Sequence, residues 1–377
     1  MSDRFDVIVV GAGSMGAAAC LELARRGVKV LGLERFDLTH GMGSYGGHSR
    51  MYRESYFEHP DYVPLLVESG RMWEAMGEES GVKLLHRVGG LYLGERDGGL
   101  VGGSIGAAER HGLDHEVLDA GEVKKRWPQF EVGEGRVGFY EKGAGYVLSE
   151  LAVGVMIDVA MRAGAVFRGR ERVVDWSVNP AGVTVRTEKG VFCAGRVVFC
   201  AGAWTGGLLR ELGLGLSVTR QVMGWMQPRE MGMFGGDRFP CWAADEGGEG
   251  VLYGFPMISG APGLKVARHR LGEVCEAESV NRGFSVMDED DFRPAVKRLL
   301  PGGVGTLVAG RVCMYTNTAD GHFVVDKHPV HEGIVLGAGF SGHGFKFAPV
   351  IGKALADLAL DGNSELPIGF LGLGRFG

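Results

Sequence analysis

The first 34 residues hold the feature that most constrains the fold, a strand, a glycine turn, a helix and a second strand in immediate succession. Residues 6–10 form an almost uninterrupted apolar run, which is typical of a parallel strand covered on both faces. Residues 11–16 read GAGSMG, apolar residues then recur at helical spacing up to Gly27, and a second apolar run over 28–33 ends at Glu34. This succession predicts an α/β fold built on a parallel sheet.

The glycine turn has the composition that a dinucleotide pyrophosphate requires. Gly11 would make the tight turn, Gly13 would let the backbone approach the pyrophosphate, and Gly16 would let the helix pack against the strand. A pyrophosphate would then lie at the N-terminus of the helix that follows the turn, where free N–H groups and the helix dipole favour an anion. We therefore predict a dinucleotide-binding unit.

The position of Glu34 strengthens this interpretation. It follows Gly16 by 18 residues, close to the spacing of about 20 that is typical of an acid holding a ribose hydroxyl. An acid here favours NAD or FAD over NADP. The alternative is an ordinary βαβ unit without a ligand, because glycine-rich turns are common in a chain with 66 glycines among 377 residues.

Composition excludes several classes of protein. A hydrophobic fraction of 45% argues against disorder, and a net charge of −6 without a basic block argues against a nucleic-acid partner. We find no secretory signal and no apolar run long enough to cross a membrane. The six cysteines contain no C-x-x-C pair, and His269 and His322 lack a second ligand at metal spacing, so we expect no metal site. These features predict a soluble, cytoplasmic protein with reduced thiols.

The order of the apolar runs indicates two domains. We predict a nucleotide-binding domain over 1–85, 146–217 and 311–377, interrupted by a second α+β domain with a mixed or antiparallel sheet over 86–145 and 218–310. Within the first domain, Ser149 is expected to cap a helix that ends near Gly164, and residues 208–212 are expected to form another helix.

Four basic side chains are candidates for chemistry. Arg50 and Arg53 follow a glycine-rich loop, and two guanidinium groups so close suit a carboxylate or phosphate, although a solvated loop is an equal alternative. Lys346, where the last helix begins, would face an anion or a negatively charged ring, unless it is a surface lysine. Lys265, inside an apolar strand, either points to solvent or is buried and functional.

Six segments carry a resemblance to a known family. They read DVIVVGAGSMGAAA, GSYGGHSRMYR, LYGFP, GLKVARH, CMYTNTADGHFVVD and GAGFSGHGFKF, in that order along the chain. Together they closely resemble the monomeric sarcosine oxidase and N-methyltryptophan oxidase family of amine-oxidising flavoenzymes. The resemblance implies a glutathione-reductase-like FAD-binding Rossmann domain with a second α+β substrate domain.

The resemblance also implies how FAD is held. Cys313, which the residues alone would make an inert core thiol, stands where the family attaches FAD covalently, and Glu34 stands where the family binds the adenosine ribose. Arg50 corresponds to the arginine that packs against the flavin ring. The implied cofactor contacts are Gly11, Gly13, Ser14, Met15, Gly16, Glu34, Arg35, Ser44, Ser49, Arg50, Val174, Gly202, Trp204, Cys313, Met314, Gly342, His343, Gly344 and Lys346.

A second set of residues is implied for catalysis, together with Arg50. Arg53 and Lys346 resemble the pair that binds the substrate carboxylate, and Lys265 resembles the lysine that activates O2. The residues that line the family's amine pocket correspond to Tyr253, His269 and Tyr315. Clustered positive charge would stabilise the anionic reduced flavin and superoxide formed from O2.

The resulting prediction is a monomeric, FAD-dependent oxidase of carboxylate-bearing secondary amines. It would demethylate sarcosine or another N-methyl amino acid with O2, giving the amino acid, formaldehyde and H2O2. The alternatives are an N-methyltryptophan or L-pipecolate oxidase with a larger pocket, a dehydrogenase that passes electrons to a carrier, a non-catalytic FAD-binding redox protein and a plain NAD-dependent dehydrogenase.

Two departures from the family pattern bear on this prediction. Gly46 and His48 stand where the family loop usually has a second His and an Asp, so no role is carried over to them. Ala243 and Ala244 stand where bulkier side chains are usual. These alanines motivate the hypothesis of a roomier substrate pocket.

Overall fold

The chain folds into strands and helices that alternate over most of its length. The structure is a computed structural model, and it describes residues 4–376. The strands are β1 (Arg4–Val10), β2 (Val30–Leu33), β3 (Ser49–Tyr52), β4 (Leu85–Arg87), β5 (Gly90–Gly94), β6 (Glu116–Leu118), β7 (Val137–Glu141), β8 (Gly145–Leu148), β9 (Val166–Arg168), β10 (Val173–Asn179), β11 (Gly182–Thr187), β12 (Val191–Phe199), β13 (Ser217–Met226), β14 (Cys241–Asp245), β15 (Val251–Gly254), β16 (Leu264–His269), β17 (Glu273–Val274), β18 (Leu307–Asn317), β19 (Val324–Lys327) and β20 (Ile334–Ala338). The helices are α1 (Ser14–Arg25), α2 (Val63–Ser80), α3 (Gly99–His111), α4 (Ala120–Arg126), α5 (Ser149–Arg162), α6 (Thr205–Leu208), α7 (Val286–Asp290), α8 (Arg293–Leu299) and α9 (Ala348–Asp361).

A first sheet is organised around the N-terminal strand. Strand β1 pairs in parallel with β2 on one side and with β12 on the other, β9 extends the sheet beyond β2, and β20 extends it beyond β12. Strands β10, β11 and β19 add antiparallel pairs. Because β1, β2, β12 and β20 run in the same direction, their carboxyl ends meet at one edge, where α/β sheets bind ligands.

Both faces of β1 are buried, as its apolar sequence predicted. Val7 and Val9 pack against helices α1 and α9 in one core cluster. Phe5, Ile8 and Val10 lie in a second cluster on the opposite face. Residues 7–10 therefore have no solvated side, while Arg4 and Asp6 at the start of the strand are exposed.

A second, larger sheet is mostly antiparallel. Its order is β17-β13-β16-β15-β14-β5-β7-β6, with β18 also paired to β13, and only β14 and β5 are parallel neighbours. Its core contains Phe130, Phe239 and Trp242. A small antiparallel sheet of β3, β8 and β4 lies beside it. The mixed α/β architecture agrees with the predicted fold class.

The predicted domain boundaries coincide with strands. The boundaries at 85/86, 145/146, 217/218 and 310/311 fall inside β4, β8, β13 and β18. The division into two domains with these limits therefore stays a prediction.

Three local predictions differ from the structure. Ser149 is the first residue of α5 rather than its cap, and its hydroxyl donates to the Glu150 carboxylate instead of accepting a helix N–H. Residues 208–212 form the end of α6 and a short 3-10 turn that closes at Gly213, because this glycine adopts a left-handed φ of +56°. Helix α3 was not predicted, since its four glycines mask the helical pattern.

Two further properties concern residues 4–376. None of the helices in this range combines the length and the apolar character that crossing a bilayer requires. Nor does the range bring together three His, Cys, Asp or Glu side chains in an arrangement that could hold a metal ion.

Candidate active site

One continuous cavity reaches from the carboxyl edge of the first sheet to the face of the second sheet. Its volume is about 410 Å³. Most of the residues selected from the sequence line it: Gly11, Gly13, Ser14, Met15, Glu34, Arg35, Ser44, Arg50, Arg53, Val174, Gly202, Trp204, Tyr253, His269, Tyr315, Gly342, His343, Gly344 and Lys346. Residues that are 335 positions apart in the sequence, such as Gly11 and Lys346, thus face one space.

The glycine turn after β1 has no room for side chains against the protein but is open toward the cavity. A Cβ on Gly11 would lie 2.4 Å from the Cys200 carbonyl oxygen, and one on Gly16 would lie 1.7 Å from the Gly11 carbonyl oxygen. A Cβ on Gly13 would meet nothing nearer than the Tyr45 ring at 3.6 Å. Helix α1 begins here with no side-chain cap and no acid in its first turn, so its free N–H groups suit an anion.

Glu34 is fixed at the end of β2 by backbone donors. Its carboxylate accepts hydrogen bonds from the N–H groups of Ala12 and Phe36, each at 3.0 Å. His40 Nε2 lies 3.3 Å from the same carboxylate. The acid therefore lies directly beside the glycine turn, as its sequence spacing predicted.

Arg35 and Trp204 form one wall of the cavity. The Arg35 guanidinium makes two 2.6 Å bonds to Glu278 and lies 5.0 Å from the centre of the Trp204 ring. Val174 and Gly202 line the same region. The pairing with Glu278 raises the pKa of Arg35 and holds its planar group against the ring.

Backbone carbonyl groups of loop 44–49 hold Arg50. Its guanidinium donates to the carbonyl oxygens of Ser44 and Gly46, each at 2.7 Å, and to that of Ser49 at 2.8 Å. Arg50 has no ion pair with any residue that the structure describes. The carbonyl groups thus orient the guanidinium but do not neutralise its charge.

Lys265 is buried, with 2% exposure, so the alternative of a solvent-facing lysine is wrong. Its ammonium donates to the carbonyl oxygens of Gly47 at 2.9 Å and Ser49 at 2.7 Å. Burial and the neighbouring Arg50 guanidinium lower its pKa well below the ordinary value. Lys265 and Arg50 are therefore bound to the same loop.

Glu150 holds the same loop through hydrogen bonds to its backbone. Its carboxylate accepts from the N–H groups of Gly47 at 2.6 Å and His48 at 2.8 Å, and it pairs with Arg311 at 2.9 Å. Although burial opposes ionisation, the Gly47 N–H, the Ser149 hydroxyl and the Arg50 guanidinium lower the pKa of Glu150 to about 2. His48 itself is exposed and has a left-handed φ of +67°, so its contribution to the loop comes from the backbone.

Arg53 is a buried guanidinium with one unused donor. It pairs with the Glu58 carboxylate and stacks on the rings of Tyr56 and Phe57, at 4.1 and 4.3 Å from their centres. Its Nη1 and the Glu58 Oε2 are both buried, and neither has a hydrogen-bond partner among residues 4–376. Arg53 holds the pKa of Glu58 at about 2. A buried unpaired donor is costly, so Arg53 is poised to bind an acceptor.

Lys346 also lies close to the Tyr56 ring. Its ammonium lies 5.1 Å from the Tyr56 ring centre and donates to the His343 carbonyl oxygen at 2.8 Å. Burial and the Arg53 guanidinium lower its pKa to about 7. The two cations therefore share one aromatic ring and repel each other unless an anion lies between them.

His343 is a neutral member of this cluster. Its Nε2 faces the Gly321 carbonyl oxygen at 3.0 Å, so that nitrogen carries the proton. Its Nδ1 consequently accepts from the Tyr56 hydroxyl at 2.6 Å. Burial lowers the pKa of His343 to about 3, which keeps this tautomer neutral over the physiological range.

The second sheet contributes a group of aromatic side chains. His269 Nδ1 lies 3.2 Å from the Tyr315 hydroxyl, and both residues line the cavity with Tyr253. Burial lowers the pKa of His269 and raises those of Tyr253 and Tyr315, so all three are neutral near pH 7. The Tyr315 ring also occupies the space that a Cβ on Gly342 would need.

Five of the selected residues do not line the cavity; they are Gly16, Ser49, Lys265, Cys313 and Met314. Cys313 packs behind the cavity against Met223, Trp225 and Ala267. Burial raises the pKa of its thiol, while Arg50 and Lys265 act in the opposite direction. These positively charged groups would favour its thiolate.

Only one of the two alanines of β14 faces the cavity. Ala243 lines it, opposite Tyr253 on the neighbouring strand. Ala244 points to the opposite face, where it packs with Trp242 in the core of the second sheet. The expectation that both alanines enlarge the pocket was therefore wrong for Ala244, because successive strand residues alternate between faces.

Several site residues were missed from the sequence. Glu58, Tyr56 and Glu150 hold the basic groups, yet each acts through contacts that no local pattern reveals. Glu58 follows Arg53 by five residues in an irregular segment, a spacing with no structural meaning there. The polar stretch 53–59, rich in aromatic residues after a glycine loop, was the only available signal.

Known proteins with similar sequences cover the whole chain. The chain is 42% identical over 373 residues to a monomeric sarcosine oxidase of Streptomyces avermitilis, with 98% of this chain and 97% of that protein covered. A monomeric sarcosine oxidase of Bacillus sp. (strain B-0618) is 37% identical and covers 100% of this chain, with 97% of its own length aligned. An N-methyl-L-tryptophan oxidase of Salmonella gallinarum is 31% identical, with 99% of each covered.

Solved structures share the fold over the same extent. NikD, described as an unusual amino acid oxidase essential for nikkomycin biosynthesis, superposes with a TM-score of 0.86 at 25% identity, covering 98% of each chain. Glycine oxidase of Geobacillus kaustophilus superposes with a TM-score of 0.83 at 23% identity, covering 99% of each chain. The sequence model of the FAD dependent oxidoreductases matches residues 6–358. The chain therefore belongs to the FAD-dependent oxidoreductase family, as its motifs predicted.

Proposed function

We propose that this protein is an FAD-dependent oxidase of secondary amines that carry a carboxylate, and that it demethylates an N-methyl amino acid. The observation that carries the proposal is the pair of buried cations at the cavity wall. Arg53 has an unused Nη1 donor, and Lys346 lies close to the same tyrosine ring. A substrate carboxylate bound there would remove their mutual repulsion and fix the rest of the substrate in the cavity. The sarcosine oxidases among its relatives act on a substrate of this kind by name.

The reaction would remove two electrons and two protons from the N–CH3 unit of the substrate. Water then converts the resulting imine to the free amino acid and formaldehyde, and O2 takes up the electrons and protons as H2O2. FAD, when bound, supplies the two-electron acceptor between substrate and O2. The chain's own contribution is to bind the carboxylate, orient the methyl group and exclude water.

The residues of the cavity fit FAD. The glycine turn admits a pyrophosphate because Cβ atoms are excluded there and the N–H groups of α1 are free. Glu34 would hold the ribose hydroxyls. Buried orphan groups, Trp204 Nε1 and Thr316 Oγ1, lie in residues that line the cavity and would gain partners from the cofactor.

Covalent attachment of FAD through Cys313 is a further part of the proposal. Burial raises the pKa of the Cys313 thiol, and the nearby Arg50 and Lys265 oppose that rise, which favours the thiolate needed for bond formation. Acid precipitation of the purified protein tests it: yellow colour that stays with the pellet supports the bond, and colour released to the supernatant contradicts it.

We assign O2 activation to Lys265. Its ammonium is buried and bound to the loop that also holds Arg50, so it is a fixed donor in a region of positive charge. Replacing Lys265 by methionine should slow reoxidation by O2 by orders of magnitude, while anaerobic reduction by the substrate survives. Equal rates of reoxidation in the two proteins would contradict the assignment, and a slow anaerobic reduction would show a different role.

A second candidate substrate class is a larger amino acid such as N-methyltryptophan or L-pipecolate. The observation that favours it is Ala243, which contributes only a methyl group to the cavity wall between Met51, Val251 and Tyr253. Replacing Ala243 by leucine should reduce turnover of the larger amines more than that of sarcosine. If wild-type protein oxidises sarcosine and neither larger amine, the larger-pocket candidate fails.

The first experiment is a panel of amines with peroxide detection. Sarcosine, N-methyltryptophan, L-pipecolate and glycine should be compared with methylamine derivatives that lack the carboxylate. We expect turnover only where a secondary amine and a carboxylate occur together. Turnover of amines without a carboxylate at equal kcat/KM would contradict the role of Arg53 and Lys346. Peroxide-free turnover with an artificial electron acceptor would instead indicate a dehydrogenase.

A further inference from the structure

Glu141, the last residue of β7, is a buried carboxylate that the proposed function does not use. It is 3% exposed, and it belongs to the second sheet. One of its oxygens accepts from the N–H of Glu54 at 2.8 Å, and the other accepts from the N–H of Ser55 at 3.2 Å. Each carboxylate oxygen thus holds one peptide group of a different part of the chain.

Those two peptide groups belong to the segment that carries Arg53. Arg53 and Lys346 together are called the carboxylate receptor below, because they are the pair proposed to bind the substrate carboxylate. Segment 53–58 begins just after β3 ends at Tyr52, and it has no helix or strand of its own. It carries Arg53, with Tyr56 beneath the guanidinium and Glu58 paired to it. An irregular segment depends on side chains for its shape, because its N–H groups have no regular backbone partners.

We propose that Glu141 is a positioning residue for substrate binding, holding segment 53–58 in the shape that presents the unused donor of Arg53 to the cavity. The inference rests on the proposed function, since it gives Glu141 a task only if Arg53 binds the substrate carboxylate. The order of the effects on Glu141 supports it. The two N–H groups each lower the pKa of Glu141 more than the Arg53 guanidinium does, so the backbone is its main partner.

The groups around Glu141 make its hold on segment 53–58 sensitive to pH. The ionisable groups that act on it or respond to it come from β3, from the segment itself and from β5, namely Tyr52, Arg53, Glu54 and Tyr92. Burial and the Glu54 carboxylate raise the pKa of Glu141, to about 7, against the lowering by its donors. The buried Tyr92 hydroxyl finds no hydrogen-bond partner in the part of the chain that the structure describes. A protonated carboxyl keeps only one good acceptor oxygen, so one N–H loses its partner below pH 7.

Deprotonation of Lys346 adds a second pH dependence to carboxylate binding, with the opposite sign to that of Glu141. Its ammonium, with a pKa of about 7, loses its charge as the pH rises. Affinity for a carboxylate should therefore fall on both sides of neutral pH. In the pH profile of affinity, loss of the Lys346 charge causes the fall at alkaline pH (the alkaline limb), and protonation of Glu141 causes the fall at acid pH (the acid limb).

The test uses holoenzyme, acetate as a probe carboxylate, and calorimetric titration between pH 6 and 9. Glu141→Gln keeps the shape of the side chain but only one acceptor oxygen. We expect it to raise the Kd of acetate about tenfold at pH 8, as for one charge-assisted hydrogen bond lost, and to remove the acid limb. KM for the substrate should rise in step while kcat stays within about twofold.

Asp357→Asn is the matched control. Asp357 is also a buried carboxylate, but it binds Arg26, Lys353 and Ser364 around α9 and does not line the cavity. Its loss should lower the melting temperature while leaving the Kd of acetate and its pH profile unchanged. A change in the Kd of acetate that occurs in Glu141→Gln but not in Asp357→Asn therefore reflects the carboxylate receptor and not a general loss of stability.

The outcomes separate the two proposals. If Glu141→Gln retains the wild-type Kd and the acid limb, the role of Glu141 is wrong while the proposed function stands. If wild-type holoenzyme does not bind acetate at any pH, the carboxylate receptor itself fails, and this inference fails with it. If Glu141→Gln does not fold, the wild-type profile decides: an acid limb supports the role, and a flat response from pH 7 to 6 overturns it.

Discussion

Replacing Arg53 by methionine should affect binding and stability through two separate losses. The substrate carboxylate would lose a buried charge-assisted donor, worth about 1.5–3 kcal/mol, so KM should rise about 10-fold to 150-fold. Glu58 would lose its partner in a buried position. Burial raises the pKa of Glu58, but Arg53, with help from His343 and Lys346, lowers it to about 2, against 4.5 for an ordinary glutamate; the net shift corresponds to about 3 kcal/mol at neutral pH, of which Arg53 contributes the largest favourable part.

The sign of this second loss follows from the direction of the shift. A lowered carboxyl pKa stabilises the folded state above pH 4.5, and the contribution disappears as the pH falls toward 2. The variant should therefore unfold at lower urea concentration than wild type at pH 7. The double variant Arg53→Met, Glu58→Gln removes the stranded charge and should recover much of that stability without recovering KM.

Steady-state kinetics with peroxide detection and urea unfolding measure the two quantities on the same samples. Three results would refute the reasoning. KM could stay unchanged in Arg53→Met, its stability could equal that of wild type, or the double variant could recover substrate affinity together with stability. The last result would show that Glu58 and not Arg53 governs binding.

Three other perturbations have equally definite expectations. The pKa of Lys346, at about 7, predicts that KM rises with pH up to about tenfold per unit above neutrality, and a KM constant from pH 7 to 9 would contradict its charge-binding role. Gly16→Ala would place a Cβ 1.7 Å from a carbonyl oxygen, so we expect it to lower the unfolding free energy by about 3 kcal/mol and to reduce the amount of bound flavin. The control Gly106→Ala, on α3 where nothing lies within reach of the added Cβ, should be neutral or stabilising. Equal flavin content in the two variants would argue against the clash at Gly16. Glu150→Gln removes the charged acceptor beneath the loop that holds Arg50 and should lower unfolding free energy by about 1–3 kcal/mol, which an unchanged melting temperature would disprove.

The sequence predicted those parts of the molecule whose pattern is local. The first strand, glycine turn and Glu34 agree with the structure because steric limits tie each residue type to its place in a βαβ unit. Lys265 was left open between surface and interior, since a lysine in an apolar strand is compatible with both. Its burial is decided by carbonyl groups of a loop more than 200 residues earlier.

The remaining errors have the same physical origin. The direction of Ala244 depends on the register between β14 and β15, which no short segment reveals. Glu58, Glu141 and Glu150 gain their roles from backbone N–H groups or cations that distant elements bring to them. Acidic residues of this kind look like ordinary solvated charges in a sequence, and only the tertiary structure distinguishes them.

The carbonyl groups around Arg50 have a consequence for the lifetime of the protein. A dipolar oxygen orients a guanidinium but leaves its unit of charge in place, so Arg50 presents a full positive charge to the cavity. An anionic ligand that satisfies it binds the folded chain and not the unfolded one. At a free ligand concentration of 100 times Kd, such a ligand adds about 2.7 kcal/mol to the unfolding free energy while it is bound reversibly, before a covalent bond to Cys313 forms. We expect the abundance of this protein in a cell to follow the supply of its cofactor, because chains left unfilled would be the first to unfold and be degraded.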